Sequence, residues 1–167
     1  MADDDEFREF VQVRYADLLR TALLLTGSRP AAEDLVQIVL LQAMRRWSRI
    51  AEPMAYLRRA MVNQRTSTWR RATRLGELLT ARVPERPDGA DLAENTVARD
   101  ELFRALATLP PKMRAVLVLR YWEDLSEADT ARLLGCSPGA VKSQASRGLA
   151  RLRGLLDVTE SRMERLA

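Results

Sequence analysis

The chain has no histidine and only one cysteine, Cys136. Without histidine, the commonest metal ligand and the commonest general base are both missing. A single thiol builds neither an internal disulfide nor a zinc site, and it points to a reducing compartment. Cys136 itself reads as a small, mostly buried residue rather than a redox sensor. No glycine-rich phosphate loop of the P-loop or dinucleotide type occurs. No basic-then-apolar leader opens the chain and no apolar run nears membrane-spanning length. A cytoplasmic, soluble protein without membrane insertion is therefore expected. Strand-like alternation and internal repeats are missing too, which leaves an all-α chain with no cofactor implied. The enzyme reading, a recombinase or nuclease, would rest on Tyr56 beside Arg59 as nucleophile. No second catalytic element accompanies that pair, so the expectation is a protein without catalytic activity.

What is present centres on Leu125 to Arg153, which reads as two helices joined by a tight turn. Ser126 caps the first helix, with Asp129 three residues on as its capping-box partner. Ala128, Ala131, Leu133 and Leu134 give that helix an apolar side. Gly135 supplies the turn and Ser137 caps again. Pro138 takes the first helical position, where its missing N–H costs nothing. Val141, Ala145, Leu149 and Leu152 then form one buried stripe. At about 100° per residue, Gly139, Lys142, Ser143, Ser146 and Arg147 fall opposite, on a donor-rich side without carboxylates through Arg153. A major groove admits such a helix N-terminal end first. The competing reading is a surface helix whose basic face is merely solvated.

The formal charge is only +4, but it is unevenly spread. From Met44 to Arg74 nine arginines face Glu52 alone, whereas from Leu75 to Glu101 seven carboxylates outnumber three arginines. Two basic blocks flanking an acidic one suggest two polyanion contacts joined by a segment that avoids duplex DNA.

The chain begins MADDDE, an acidic stretch expected to fray. Phe7, Phe10, Val11, Tyr15, Leu18 and Leu19 then follow helical spacing, on through Ala22 to Leu25, until Thr26-Gly27-Ser28 ends the helix. Pro30 opens a second helix with a core stripe of Leu35, Val36, Val39, Leu40, Ala43, Met44 and Trp47. Directly opposite lie Asp34, Gln37, Ile38, Leu41 and Arg45. Two aliphatics inside a polar rim fit a docking patch for a helical partner, although single exposed aliphatics are common. After the loop Ser48 to Glu52, Pro53 starts a third helix. Met54, Leu57, Met61, Thr68 and Trp69 make its apolar side; Tyr56, Arg59, Asn63, Thr66, Ser67 and Arg70 share the other. That ladder offers a stacking ring, an amide able to read a base edge and cations for phosphate, a combination suited to single-stranded or partly melted nucleic acid. A solvated arginine-rich face is the alternative, and nothing in the sequence accounts for Arg58 and Arg65.

Pro84, Pro87 and Gly89 among acidic and small residues mark 75–96 as a flexible linker, with a helical turn near Leu75 to Leu79. Helical spacing resumes from Val97 through Leu102, Phe103, Leu106 and Leu109; Pro110-Pro111 breaks it, and Met113, Val116, Leu117 and Leu119 continue. The expected architecture is an N-terminal helical domain at 1–74, the linker, a C-terminal helix-turn-helix domain at 97–157, and a tail at 158–167 that either extends the last helix or frays.

EDLVQ in the second helix, AYLRRAMVNQ and TWRR in the third, LPPKMRAVLVLRYWEDLS, LLGCSPGAVKS and RGLARLR together resemble a bacterial sigma factor of the group-4, extracytoplasmic-function type, in the actinobacterial style. The likeness spans roughly residues 6–72 and 101–156. It implies a sigma region 2-like domain that binds the clamp helices of the RNA polymerase largest subunit and melts the −10 element. It also implies a region 4-like domain that reads the −35 element and contacts the polymerase flap, with promoter DNA and core polymerase as partners and an anti-sigma factor as a further one. By the same resemblance, Asp34, Gln37, Ile38 and Leu41 dock polymerase, and Arg45, on the same face of the wheel, is expected to join them. The resemblance also implies that the loop Ser48 to Pro53, which holds Arg49 and Ile50, captures a flipped −10 base and that Asn63 contacts that strand; Tyr56, Arg59, Thr66 and Arg70, which share the face of Asn63 on the wheel, are expected along the same path. Lys142, Ser143, Ser146 and Arg147 match the −35 reading positions. Two departures stand out. Ala140 and Gln144 replace the threonine and arginine of many relatives, and Ile38 stands where a glutamate often follows DLVQ. A helix-turn-helix regulator that works without polymerase docking is the alternative.

Overall fold

Imino acids, glycines and small hydroxyl residues set where each helix begins and ends. The computed structural model describes residues 2–74 and 97–164, with side chains described over 3–67 and 100–157. Among these residues every regular element is helical, in line with the all-α expectation.

Helix α1 (Ala2–Thr26) begins within the acidic stretch expected to fray; Asp3, Asp4 and Asp5 occupy its first turn, where carboxylates suit the positive end of the helix dipole. Gly27 ends it at φ 81°, a left-handed conformation that a side chain would resist. Ser28 then caps α2 (Arg29–Met44), its Oγ accepting from the Ala31 N–H at 3.4 Å. A 3₁₀ turn, Trp47–Arg49, leads to α3 (Pro53–Arg74). α2 packs against both α1 and α3. The core they enclose is Leu18, Ala22 and Leu25 from α1, Ala32, Val36 and Val39 from α2, and Leu57 and Met61 from α3. Full burial of each large aliphatic in such a set is worth about 1.5–3 kcal/mol, so truncating Leu57 would strike this unit at its centre.

In the C-terminal part, α4 (Val97–Thr108) gives way to α5 (Pro111–Leu117) at the expected Pro110-Pro111 break. Pro111 has no N–H to offer the Ala107 carbonyl four residues back. The buried guanidinium of Arg114 takes that role: its Nη2 donates to Ala107 O and, at 3.1 Å, to Leu109 O. After α5 a π turn, Val118–Trp122, adds an extra residue to the winding. It closes with Glu123 N–H donating to Val118 O at 3.0 Å and Leu125 N–H to Leu119 O at 2.9 Å. Asp124, at φ 53°, takes the one left-handed position of a non-glycine among the described residues, and the Arg120 guanidinium fastens onto Leu125 O. The chain thereby swings into α6 (Glu127–Leu134) and, after Gly135, α7 (Pro138–Glu164). α7 packs against α4, α5 and α6. Its approach to α5 needs Gly148, where a Cβ would stand 2.9 Å from Leu117 Cδ1 and 3.0 Å from Met113 Cγ.

The chain divides into two compact units, Met1–Ala81 and Arg82–Ala167. The linker expected at 75–96, with its helical turn near Leu75, lies outside the described residues. The last helix continues past 157 to Glu164, so the tail begins as helix. Two expected core assignments need correction. Met44, placed in the stripe of α2, is 47% exposed; on the helical wheel it stands only about 60° from Leu41 and belongs to the outward side. Ala128 is exposed on α6, and Thr130, with 0% exposure, fills the core position instead. Residue type misled there, because the buried side of this helix carries a hydroxyl and the open side a methyl.

Candidate nucleic-acid interface

The second helix of the C-terminal pair is held by its local chemistry before any packing. Gly135, at φ 66°, forms the left-handed cap of α6, and Cys136 N–H reaches back to Ala131 O at 3.0 Å. Cys136 is half-buried. The Ser137 Oγ accepts from Ala140 N–H at 3.1 Å, opening α7 with Pro138 in its first turn. At the start of α6, Ser126 Oγ accepts from Asp129 N–H at 3.0 Å as expected. The return bond differs from a capping box, since the Ser126 hydroxyl donates to Asp129 Oδ2 at 2.7 Å. That hydroxyl, first, and then the Arg132 guanidinium hold the Asp129 carboxyl below the usual carboxylate range.

With Val141, Ala145, Gly148 and Leu152 buried and Leu149 half-buried, α7 turns its other side outward. Lys142, Ser143, Ser146 and Arg147 are all exposed there, together with Gly139 and Arg151. Arg147 lies along the helix, its Nε donating to Ser143 O at 3.4 Å. The face thus offers two hydroxyls, one ammonium and one guanidinium within two turns, which suits base edges and phosphates in a major groove.

On α2 the expected docking positions are likewise outward. Asp34, Gln37 and Arg45 are exposed, and Ile38 and Leu41 are 37% and 55% exposed. Met44 joins them, so three apolar side chains follow one another within a polar rim. The opposite side of the same helix is closed by Leu35, Val36, Val39 and Ala43.

The third face starts at Trp47, which is buried at the head of the 3₁₀ turn. The turn leads into a hollow of about 470 Å³ lined by Arg46, Arg49, Ile50, Ala51, Glu52 and Tyr56. A second hollow of about 460 Å³ is lined by Gln42, Tyr56, Arg59, Ala60, Asn63, Gln64 and Ser67. Tyr56 borders both and separates the loop from the α3 ladder. Arg49, Ile50, Tyr56, Arg59 and Asn63 are therefore brought together. Thr66 is not: it lines neither hollow, and its hydroxyl donates to Val62 O at 2.9 Å. The side chains of Thr68, Trp69 and Arg70 lie outside the described residues. Gln42, Arg46 and Gln64 are additions. Gln42 reaches the ladder from α2, a contact between helices that the periodicity of a single helix does not register. Arg65 is half-buried, its Nε without a hydrogen-bond partner, and burial lowers its pKa. Among the described residues no cluster of acidic, cysteine or histidine side chains could hold a metal, and no helix is long and apolar enough to cross a membrane.

Comparison with known proteins finds two family matches, Sigma-70 region 2 over residues 10–75 and Sigma-70 region 4 over residues 99–152. The sequence is 44% identical over 151 residues to the RNA polymerase sigma-E factor of Streptomyces coelicolor, covering 89% of this chain and 84% of that protein. It is 32% identical over 153 residues to the ECF RNA polymerase sigma factor SigM of Mycobacterium tuberculosis, covering 90% and 76%. Among solved structures, the sigma factor RpoE from Bartonella quintana, crystallised with the anti-sigma factor NepR, superposes with a TM-score of 0.75 at 24% identity, covering 92% of this chain and 98% of that one. CnrH, solved with the cytosolic domain of CnrY, gives 0.62 at 25% identity, covering 93% and 90%.

Proposed function

The chain belongs to the RNA polymerase sigma factors of the extracytoplasmic-function group, and from that premise we propose that it carries core polymerase to promoters by reading a −35 and a −10 element and helping to melt the latter. The observation that carries this reading is the α2 face, where Ile38, Leu41 and Met44 stand exposed on a helix whose other side is already closed. A helix-turn-helix regulator acting without polymerase has no use for that patch.

The proposed division of labour follows from chemistry. Asp34, Gln37 and Arg45 surround the apolar residues of α2 and would orient a helical partner, the clamp of the largest subunit. Lys142 and Arg147 would neutralise phosphates while Ser143 and Ser146 reach base edges in the major groove of the −35 element. Strong salt dependence is the expected accompaniment. At the −10 element, the hollow beside Arg49 and Ile50 would receive an unstacked base, with the Tyr56 ring as stacking surface and Arg59 and Asn63 along the strand. A base removed from the stack costs a few kcal/mol, which stacking on Tyr56 and hydrogen bonds from the loop would offset. The same apolar α2 face supports binding of an anti-sigma partner in competition with polymerase.

Run-off transcription with purified actinobacterial core enzyme tests this. Specific start sites that depend on the added chain are the expected result. DNA binding without any start site would favour the regulator reading instead.

A further inference from the structure

The start of α1 is an outlying piece of the first unit. Residues 3–6, 8, 9 and 12–16 are exposed, whereas Phe7, Phe10 and Val11 are half-buried. What Phe7 and Phe10 meet is a single ring. Phe7 lies edge-on to Trp47, ring centres 5.0 Å apart at 75°, and Phe10 is tilted at 55°, also at 5.0 Å. Of the three tryptophans, three tyrosines and three phenylalanines in the chain, three residues are gathered at this one point. Trp47 is buried there and begins the turn, and Arg46 just before it and Arg49 to Glu52 just after it line the loop hollow. The turn itself is short. It is one 3₁₀ turn with no side-chain cap at Arg46, tied by Arg49 N–H to Arg46 O at 2.9 Å and Ile50 N–H to Trp47 O at 3.0 Å.

We propose that Phe7 and Phe10 act as positioning residues: they clamp Trp47 and thereby fix the loop so that it discriminates among bases at the −10 strand. The inference rests on the −10 reading given above. A loop that must order itself on binding loses affinity for the right base, and it accommodates wrong ones by relaxing around them. A loop already fixed does neither. Offset and edge-to-face aromatic pairs suit the task because their geometry is directional, unlike a general apolar contact of the same area.

The experiment uses the full chain assembled with purified actinobacterial core polymerase. The probe is a fork-junction DNA library with its non-template strand randomised through the −10 segment, and bound molecules are sequenced. A wrong base at one position costs the wild type about 5–150-fold. The double variant Phe7→Leu with Phe10→Leu keeps the apolar volume and removes the ring contacts. Its discrimination should fall at least about fivefold at one position while other positions stay within about twofold. Trp47→Leu should behave the same way, and Trp47→Phe should retain most of the preference. Phe7→Leu alone serves should the double variant lose helicity by circular dichroism. Unchanged preference in a folded variant overturns the clamp alone. So does an equal loss at every position together with lost core binding, which would mark the rings as merely structural. A wild-type holoenzyme with no preference anywhere would instead remove the −10 reading, and the clamp with it.

Discussion

Arg114→Met should unfold the C-terminal unit at a much lower temperature, although the side chain lies on no proposed binding face. Arg114 is only 4% exposed, and its guanidinium serves two carbonyls that the backbone leaves over. Ala107 O would have bonded to residue 111, which is proline, and Leu109 O precedes the first helical hydrogen bond of α5, from Arg114 N–H to Pro110 O at 2.9 Å. Methionine keeps the stem's packing and supplies no donor. One buried and one part-buried acceptor left unsatisfied cost about 1–3 kcal/mol each. Relief from burying the guanidinium returns part of that, so the net loss is about 2–4 kcal/mol. For a unit of this size, each kcal/mol moves Tm by about 4–8 °C, and a drop of roughly 8–30 °C follows. Arg114→Lys should recover part of it, because one ammonium can reach one carbonyl but cannot span both. Thermal melting of the full chain by circular dichroism reads this out. A midpoint for Arg114→Met within about 2 °C of wild type would refute the account of the α4–α5 junction.

Thr130→Val should stabilise the same unit by about 1 kcal/mol, because a fully buried hydroxyl with no hydrogen-bond partner is replaced by a methyl of the same shape; a lower melting midpoint would contradict it. Asp129→Asn tests the cap of α6 through pH. The wild-type carboxyl is held below its ordinary range by Ser126 and Arg132, so its contribution is present above that range and lost as pH falls through the depressed value. The gap in melting temperature between wild type and Asp129→Asn should therefore close in acid, and a gap that widens would be the wrong sign. Ile38→Asp should abolish co-purification with core polymerase while binding to −35 duplex persists, since a carboxylate would be buried in the centre of the docking patch. Arg147→Ala should weaken −35 binding and flatten its salt dependence without altering core affinity; equal loss of core affinity would contradict the assignment of α7.

The outward positions of α2 and α7 were legible in the sequence because a helix repeats about every 100°, and that geometry holds whatever the helix packs against. Asp34, Ile38, Leu41, Lys142, Ser143, Ser146 and Arg147 are all exposed as the wheel requires. What periodicity handles poorly is a residue whose chemistry disagrees with its angle. Met44 is apolar yet stands nearer Leu41 than the core, and Thr130 is polar yet fills a core position. Contacts across elements were less legible still. Nothing in the spacing of Phe7 and Phe10 says that their shared neighbour is Trp47, forty residues on by the earlier and thirty-seven by the later. Nor does the Pro110-Pro111 pair announce which side chain will serve the carbonyl left over, beyond the general rule that some donor must.

On the proposed reading, the division into two units explains why neither face needs to be strong. A wrong base costs about 1–3 kcal/mol in either element, too little for one short element to stand out against the sites of a genome. Discrimination multiplies only when both elements are engaged at a set spacing. The acidic run between the basic blocks, with Glu77, Glu85, Asp88, Asp91 and Glu94, works against duplex DNA lying along the connection. A free chain would then engage one element at a time, with the affinity of a single unit. Bound to polymerase, the two units would act at high effective concentration for one another's sites. Selectivity would thus belong to the assembly, and the docking face of α2 would govern promoter choice without touching a base.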